Sequence, residues 1–340
     1  MKGTGGPVAV LGGGSWGTVL GMLAAARCDE VRVWCRDPEL ADGTEQSRVN
    51  TRYLPGVVLP PQVRFTCDAQ AALHEAGLVV LALPTQVLRE VARSVRDLMR
   101  PGAIVASASK GLERGTFCRG SQILAQELAG PARERIAVIS GPNLAREMAA
   151  GKPTGAVVAS ASEAVARAVQ QRLSTPVFRL YSSSDVAGVE FGGALKNVIA
   201  IGAGIVHGLG LGDNALGALL TRGLAEMARL GVRQGARPLT FNGLSGVGDL
   251  VTTCASPLSR NRCVGEGIAR GERLDEILRG LGMVAEGVPT TAAARALALA
   301  QRVEMPIAEA IHSVLFEGKD ARSAVIELMS RDLRSEEEFG

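Results

Sequence analysis

The chain has 340 residues, a length for two domains, and 46% of them are hydrophobic while only 3% are aromatic. Such a composition suits helices packed closely on a sheet and argues against an aromatic-rich β-sandwich. Its net charge of +3, from 37 basic and 34 acidic residues, is too balanced for a nucleic-acid or anionic-membrane surface, so a cationic group that matters must act locally.

Cys28, Cys35, Cys67, Cys118, Cys254 and Cys263 form no CxxC pair. They read as the thiols of a cytoplasmic protein rather than as a disulfide scaffold. His74, His207 and His312 stand far apart, so no metal-ligand spacing arises and no metal is expected. The opening MKGTGGPVAVLGGG lacks the long apolar core of a signal peptide.

From Val8 to about Tyr181 short apolar runs alternate with helical stretches. The runs VAVL (8–11), VRVW (31–34), LVVLAL (78–83), AIVASAS (103–109), IAVIS (136–140) and GAVVAS (155–160) predict buried parallel strands. Together they predict a doubly wound Rossmann-type α/β sheet. The first run leads into Gly12-Gly13-Gly14-Ser15-Trp16-Gly17 and then a helix-like stretch. In that context Gly12 permits a tight turn, Gly14 a close backbone approach to a pyrophosphate, and Gly17 helix-on-strand packing. The helix N-terminus adds N–H groups and partial positive charge for the phosphates. The second run ends at Arg36, where an NAD-specific site usually has an acid. A guanidinium there suits the 2′-phosphate of NADP, while Asp37 beside it leaves NAD open. Between 86 and 99, Val87, Leu88, Val91, Val95 and Leu98 share one helix face. Lys110, in Ser107-Ala108-Ser109-Lys110-Gly111, follows a strand end, the edge where such sheets bind ligands; it reads either as a phosphate or ketone contact or as an exposed turn lysine. Ser140-Gly141-Pro142-Asn143 could donate backbone N–H groups at a strand end, but taken alone it reads as turn punctuation.

After Asp185 the strand signals stop, and YSSSDV marks a boundary. Residues 1–185 are expected to form the dinucleotide-binding domain, 186–330 an all-helical domain, and 331–340 a polar tail. Helices are predicted at about 186–209, 214–234, 259–270, 290–303 and 306–317, with NGLSGVGD (242–249) as a loop. The apolar stretch Val186–Leu211 carries Glu190, Lys196 and Asn197, so it reads as a packed central helix rather than a membrane span. Within it Lys196 is the anomaly: lysine is rarely buried unpaired, and a buried ammonium gives up its proton more readily, as a proton donor must. The alternative is a lysine whose tip reaches water. Asp249 and, beyond it, Ser259-Arg260-Asn261 place an acid, a hydroxyl, a guanidinium and an amide near turns. Arginine's fork matches a phosphate, and Ser259 also fits an N-cap.

In order, GGGSWG, LALP, SASKGLE, ISGPNLA, GVEFGGALKNVIAI, GLGLGDNA, LTRGLAEMARLG, GLSGVGDLVTTC and SPLSRNRCVGEG resemble the bacterial NAD(P)-dependent glycerol-3-phosphate dehydrogenases, over about residues 7–325. The resemblance implies reversible reduction of dihydroxyacetone phosphate to sn-glycerol 3-phosphate by NADPH or NADH, supply of glycerophospholipid synthesis, and a homodimer. It makes Lys196 the catalytic lysine and Asp249 an acid beside it. Lys110 contacts both substrate and cofactor. Ser259, Arg260 and Asn261 contact the substrate phosphate, Arg260 the cofactor as well. Ser15 and Trp16 of the glycine loop, Arg36 and Tyr53 belong to the cofactor site, as do Val284 and Glu286. Gly141, Asn143 and Ala145 supply strand-end contacts to substrate and cofactor. Four positions depart from the family pattern: Asn143 and Leu144, where Ser or Thr then Phe is usual; Leu216, where a basic residue is common; and Pro289, where Arg is usual. The rivals are a β-hydroxyacid or 6-phosphogluconate-type dehydrogenase and a catalytically silent NAD(P) sensor. The sensor would have lost its proton donor, yet Lys196, Asp249 and Arg260 are present.

Overall fold

Strand β1 (Val8–Leu11) has no polar side chain, and it lies inside the sheet with neighbours on both edges. The computed structural model describes residues 6–128, 130–332 and 335, so residues 333–334 and 336–340 of the expected tail lie outside it. Among the described residues one sheet orders β3-β2-β1-β4-β5-β6-β7-β8. Its other strands are β2 (Val31–Trp34), β3 (Val63–Thr66), β4 (Leu78–Leu81), β5 (Ile104–Ser107), β6 (Ile136–Ser140), β7 (Thr154–Ala159) and β8 (Phe178–Ser183). Val8 registers with Val31 on one side and Leu78 on the other, both parallel. The order reverses from β1 to β4, the switch point at which dinucleotides bind in such sheets.

One expectation needs correction. Strand β7 runs antiparallel to β6, with Ser140 opposite Val157. Because β8 pairs parallel with β7, these last two strands both run against the other six; a continuous apolar run reports burial on both faces and says nothing about direction, and mixed sheets of this size are common.

The helices of this first unit are α1 (Ser15–Ala25), α2 (Pro38–Ser47), α3 (Ala69–Leu73), α4 (Thr85–Val95), α5 (Gly120–Glu127), α6 (Ala145–Ala149) and α7 (Glu163–Leu173). Helix α2 starts where Asp37 caps it, accepting from the N–H groups of Glu39 and Leu40, with Pro38 next. Helix α4 buries Leu88, Ala92 and Val95. It gives way to a 3₁₀ turn at Arg96–Leu98, so Leu98 is exposed rather than on the buried face. The core holds β-strand valines with Leu20, Leu54, Phe65 and Phe178.

The first unit takes residues up to Ser109 and Gly120–Val186; Lys110–Arg119 and the chain from Ala187 onward form the second. In the second lie α8 (Val186–Gly208), α9 (Gly212–Arg233), α10 (Asp249–Ala255), α11 (Arg260–Ala269), α12 (Leu274–Leu281), α13 (Gly287–Gln301), α14 (Pro306–Phe316) and α15 (Ala321–Met329). Helix α8, at 23 residues, is long and apolar enough to cross a membrane, but its most apolar window is wholly buried. It is the core helix, carrying Phe191, Leu195, Val198, Ile199 and Ile201 into a cluster with Leu112, Met227, Leu230 and Val264. The segment expected as one loop at 242–249 is the end of a 3₁₀ turn (Pro238–Asn242), a wide π-type turn kinked at Gly246 (Leu244–Gly248) and the start of α10. Pro289 falls in the first turn of α13, where its missing N–H leaves no helical bond unmade.

Candidate active site

Gly192 and Lys196 are one helical turn apart on α8, so they share a face. A Cβ on Gly192 would lie 2.4 Å from the carbonyl oxygen of Ser245. The missing side chain lets the 244–248 turn rest on α8, and the chain then enters α10 at Asp249. Lys196 is thereby met by a carboxylate: its Nζ donates to Asp249 Oδ1 at 2.9 Å. The Lys110 ammonium donates to the other oxygen, Oδ2, at 2.8 Å. Thr253, one turn after Asp249, completes the cluster. Its Oγ1 accepts from Lys196 at 2.6 Å, and Thr253 and Asp249 Oδ1 are 3.2 Å apart.

Asp249 is 1% exposed and Lys196 6%, so this is a buried two-cation, one-anion cluster. Burial pushes the Asp249 carboxyl up, but the ammoniums of Lys110 and Lys196 outweigh it and hold the group below the usual carboxylate range. Lys110 is pulled down to about 8, first by burial and then by the charge of Lys196, against the attraction of Asp249.

Asn197 orders the surroundings. Its amide nitrogen donates to the Lys110 carbonyl at 2.9 Å and to that of Gly193 at 3.2 Å. Its oxygen accepts from Asn261 at 2.8 Å, and Asn261 Oδ1 accepts from the Gly287 N–H at 2.9 Å. The expected phosphate triplet thus divides. Ser259 is the N-cap of α11, accepting from the Arg262 N–H. Asn261 is buried in the amide chain. Arg260 is exposed and donates to the Val284 carbonyl at 2.6 Å, which ties it to the segment holding Glu286.

In the first unit the glycine loop has the form a dinucleotide needs. Gly12 adopts φ +124°, closed to most side chains, and a Cβ on Gly17 would lie 1.8 Å from the Gly12 carbonyl oxygen. A Cβ on Gly14 would meet no atom within 4 Å. Helix α1 starts at Ser15 without a side-chain cap, which leaves its first N–H groups for an anion. Trp16 packs on the core with its indole N–H buried and no hydrogen-bond partner. Arg36, just past β2, is exposed, and Tyr53 is half-buried. Gly141, at φ +144°, directly follows β6, with Asn143 and then Ala145, the first residue of α6, after it.

Residues 7–166 match the family described as NAD-dependent glycerol-3-phosphate dehydrogenase N-terminus, and residues 185–326 match the corresponding C-terminus. Over 329 residues the chain is 51% identical to the NAD(P)+-linked glycerol-3-phosphate dehydrogenase of Nitratidesulfovibrio vulgaris, covering 97% of this chain and 99% of that one. The chain belongs to the NAD(P)-dependent glycerol-3-phosphate dehydrogenase family. The Geobacter sulfurreducens enzyme of the same name is 48% identical, over 97% of this chain and 98% of its own. The crystal structure of the glycerol-3-phosphate dehydrogenase from Coxiella burnetii superposes with a TM-score of 0.91 at 37% identity, covering 96% of this chain and 99% of that one.

Within the glycerol-3-phosphate dehydrogenase family this chain is an oxidoreductase with an NAD(P)-binding Rossmann fold. Its departures from the family pattern fall outside the lysine cluster. Leu216 lies on α9, partly buried against the helical core. Asn143 Nδ2 lies 3.9 Å from Met148 Sδ. Sequence reasoning gave no role to Thr253 or Asn197. The spacing of four between Asp249 and Thr253 is a usable signal once α10 is recognised as a helix.

Proposed function

We propose that the chain catalyses the reversible NAD(P)H-dependent reduction of dihydroxyacetone phosphate to sn-glycerol 3-phosphate, supplies glycerophospholipid synthesis, and works as a cytoplasmic homodimer. The observation that carries the reading is Lys196, a buried ammonium held by Asp249 and Thr253, in a chain half identical to dehydrogenases of that name.

Reduction turns the ketone oxygen into an alkoxide that must receive a proton. Lys196 delivers it, a contribution of about 10²–10⁴-fold for a positioned general acid. Asp249 holds the ammonium in place, and the Thr253 hydroxyl fixes its second hydrogen-bond direction. Lys110, Ser259, Arg260 and Asn261 bind the substrate, and Arg260 and Lys110 supply the charge that a phosphate requires. Gly12, Gly14, Ser15, Trp16 and Gly17 hold the pyrophosphate; Arg36 and Tyr53 hold the adenosine end. Gly141, Asn143 and Ala145, with Val284 and Glu286, complete the contacts to substrate and cofactor. When bound, the nicotinamide supplies the hydride that the ketone carbon accepts.

The test is loss of NADPH or NADH absorbance with dihydroxyacetone phosphate, set beside carboxylate-bearing hydroxyacid precursors. Turnover with the triose phosphate alone is expected. Turnover confined to the carboxylates assigns the chain to the β-hydroxyacid enzymes, and binding without turnover makes it a sensor. Sedimentation at equilibrium gives twice the chain mass for the dimer.

A further inference from the structure

The turn after α2 joins two parts of the cofactor unit. Asn50 is fully buried, and its amide nitrogen donates to the Gly13 carbonyl and to Thr18 Oγ1, both at 2.8 Å. Its oxygen accepts from the Tyr53 N–H at 3.1 Å, and its carbonyl accepts from the N–H of buried Leu54. The turn is therefore fastened to the middle of the glycine loop. Arg52 leaves it toward the end of β2, where its Nη1 lies 2.8 Å from Asp37 Oδ2, and its guanidinium carbon is 5.5 Å from the centre of the Tyr53 ring.

That contact changes the meaning of Asp37. A carboxylate that selects NAD must accept from the ribose diol. Here one oxygen of Asp37 caps α2 and the other faces Arg52. Arg36 stands next to it, exposed. At the end of β2 the Arg52 guanidinium thus meets a carboxylate already engaged by donors, and a second arginine, Arg36, directly precedes that carboxylate in the chain.

We propose that Arg52 is a specificity-determining residue, which together with Arg36 holds the 2′-phosphate of NADP. A phosphate offers more charge and more acceptor oxygens than the half-exposed Asp37 carboxylate. Arg52 transfers its fork to it, while Asp37 keeps its cap on α2. Asn50 keeps the turn, and with it Arg52, beside the glycine loop. The inference rests on the dinucleotide reading of that loop.

The experiment is calorimetric titration of the purified protein with adenosine 2′,5′-bisphosphate and with adenosine 5′-monophosphate, which lacks the 2′-phosphate. The wild type is expected to prefer the bisphosphate. Arg52→Ala should weaken the bisphosphate about tenfold and leave the monophosphate within about twofold. Asp37→Asn keeps a good helix cap and removes the competing charge, so it should tighten the bisphosphate. Equal affinity of the wild type for both ligands overturns the inference and leaves the dinucleotide site standing. So does an Arg52→Ala variant that weakens both ligands alike or neither. Failure of the wild type to bind either ligand overturns the dinucleotide reading and the inference together.

Discussion

Asp249 places one carboxylate oxygen on each of two lysines, and the two lysines then differ in kind. Lys196 is inside, with Thr253 as its second partner, while Lys110 sits at the more open side of the cluster. Lys196→Met fills the same apolar helix without an ammonium, so the protein should fold and bind cofactor. Its kcat should fall by on the order of 10²–10⁴-fold; near-normal turnover would remove Lys196 from the reaction. Lys110, held down to about 8, gives a pH prediction. Its charge is present below that value and lost above it, so kcat/KM for reduction should decline as pH rises through about 8. Arginine stays charged throughout, so Lys110→Arg should move that decline to higher pH whatever it does to the maximum rate. A limb in the same place in both proteins assigns it to another group. The sequence made Lys196 conspicuous as a charge in an apolar helix, and Asp249 as an acid among glycine-rich turns close to Ser259-Arg260-Asn261. It left Asn197 unread, because an amide that bonds backbone carbonyls leaves no mark in composition or period.

The interval between Gly192 and Lys196 is an element-scale device: the turn before α10 docks on a bare patch of α8 one helical turn from the reacting group. Gly192→Ala puts a methyl against the Ser245 carbonyl and must lift the turn or bend the helix. Helix content by circular dichroism should persist while kcat falls on the order of 10²-fold, the usual consequence of misplacing a catalytic group by about 1 Å. Unchanged kcat would show that the turn tolerates the shift. Helix α14 has a different device. Glu226 of α9 is buried and accepts from the Ile307 and Ala308 N–H groups at 2.7 and 3.1 Å, a cap supplied from another helix. Burial pushes its carboxyl up to about 7, against the pull of those N–H groups. A raised folded value favours folding fully below the ordinary value of 4.5, and that contribution is lost as pH rises through about 7. The Tm of wild type should therefore fall more between these limits than that of Glu226→Gln; parallel curves would refute it. The central strands β1 and β4 and the core helix α8 were legible because their apolar runs are nearly unbroken, and β2 because Val31, Val33 and Trp34 stand close together around Arg32. The sheet edges were not: β3 and β8 alternate buried and exposed residues, as in Val63-Arg64-Phe65 and Phe178-Arg179-Leu180, and a search for continuous runs passes over them. Helix α12 was missed although Leu274, Ile277, Leu278 and Leu281 repeat at helical spacing and pack on the helical core; at eight residues it is short, and charged residues and Gly280 fill the rest of it.

At the scale of the whole molecule the described residues form two hydrophobic cores, and the helical one takes in a segment from within the first half. Lys110–Arg119 brings Leu112 into the helical core, Arg119 to Glu190 at 2.6 Å, and Lys110 to Asp249. A fragment of residues 187–340 lacks all three. Losing a buried leucine costs about 2–5 kcal/mol, and breaking a buried ion pair about 3–5 kcal/mol, against a typical margin of 5–15 kcal/mol. The fragment should show no cooperative thermal transition, and joining 110–119 to its N-terminus through a flexible linker should restore one. A sharp melt from the bare fragment would contradict this. The same segment bears on inheritance. A crossover between two related genes near codon 186 looks harmless on a linear map, yet it would give the helical half a Lys110 strap from the other parent. Viable chimaeras should be those in which residues 110–119 descend with the helices they pack against, so recombination would have to respect three breakpoints where the map suggests one.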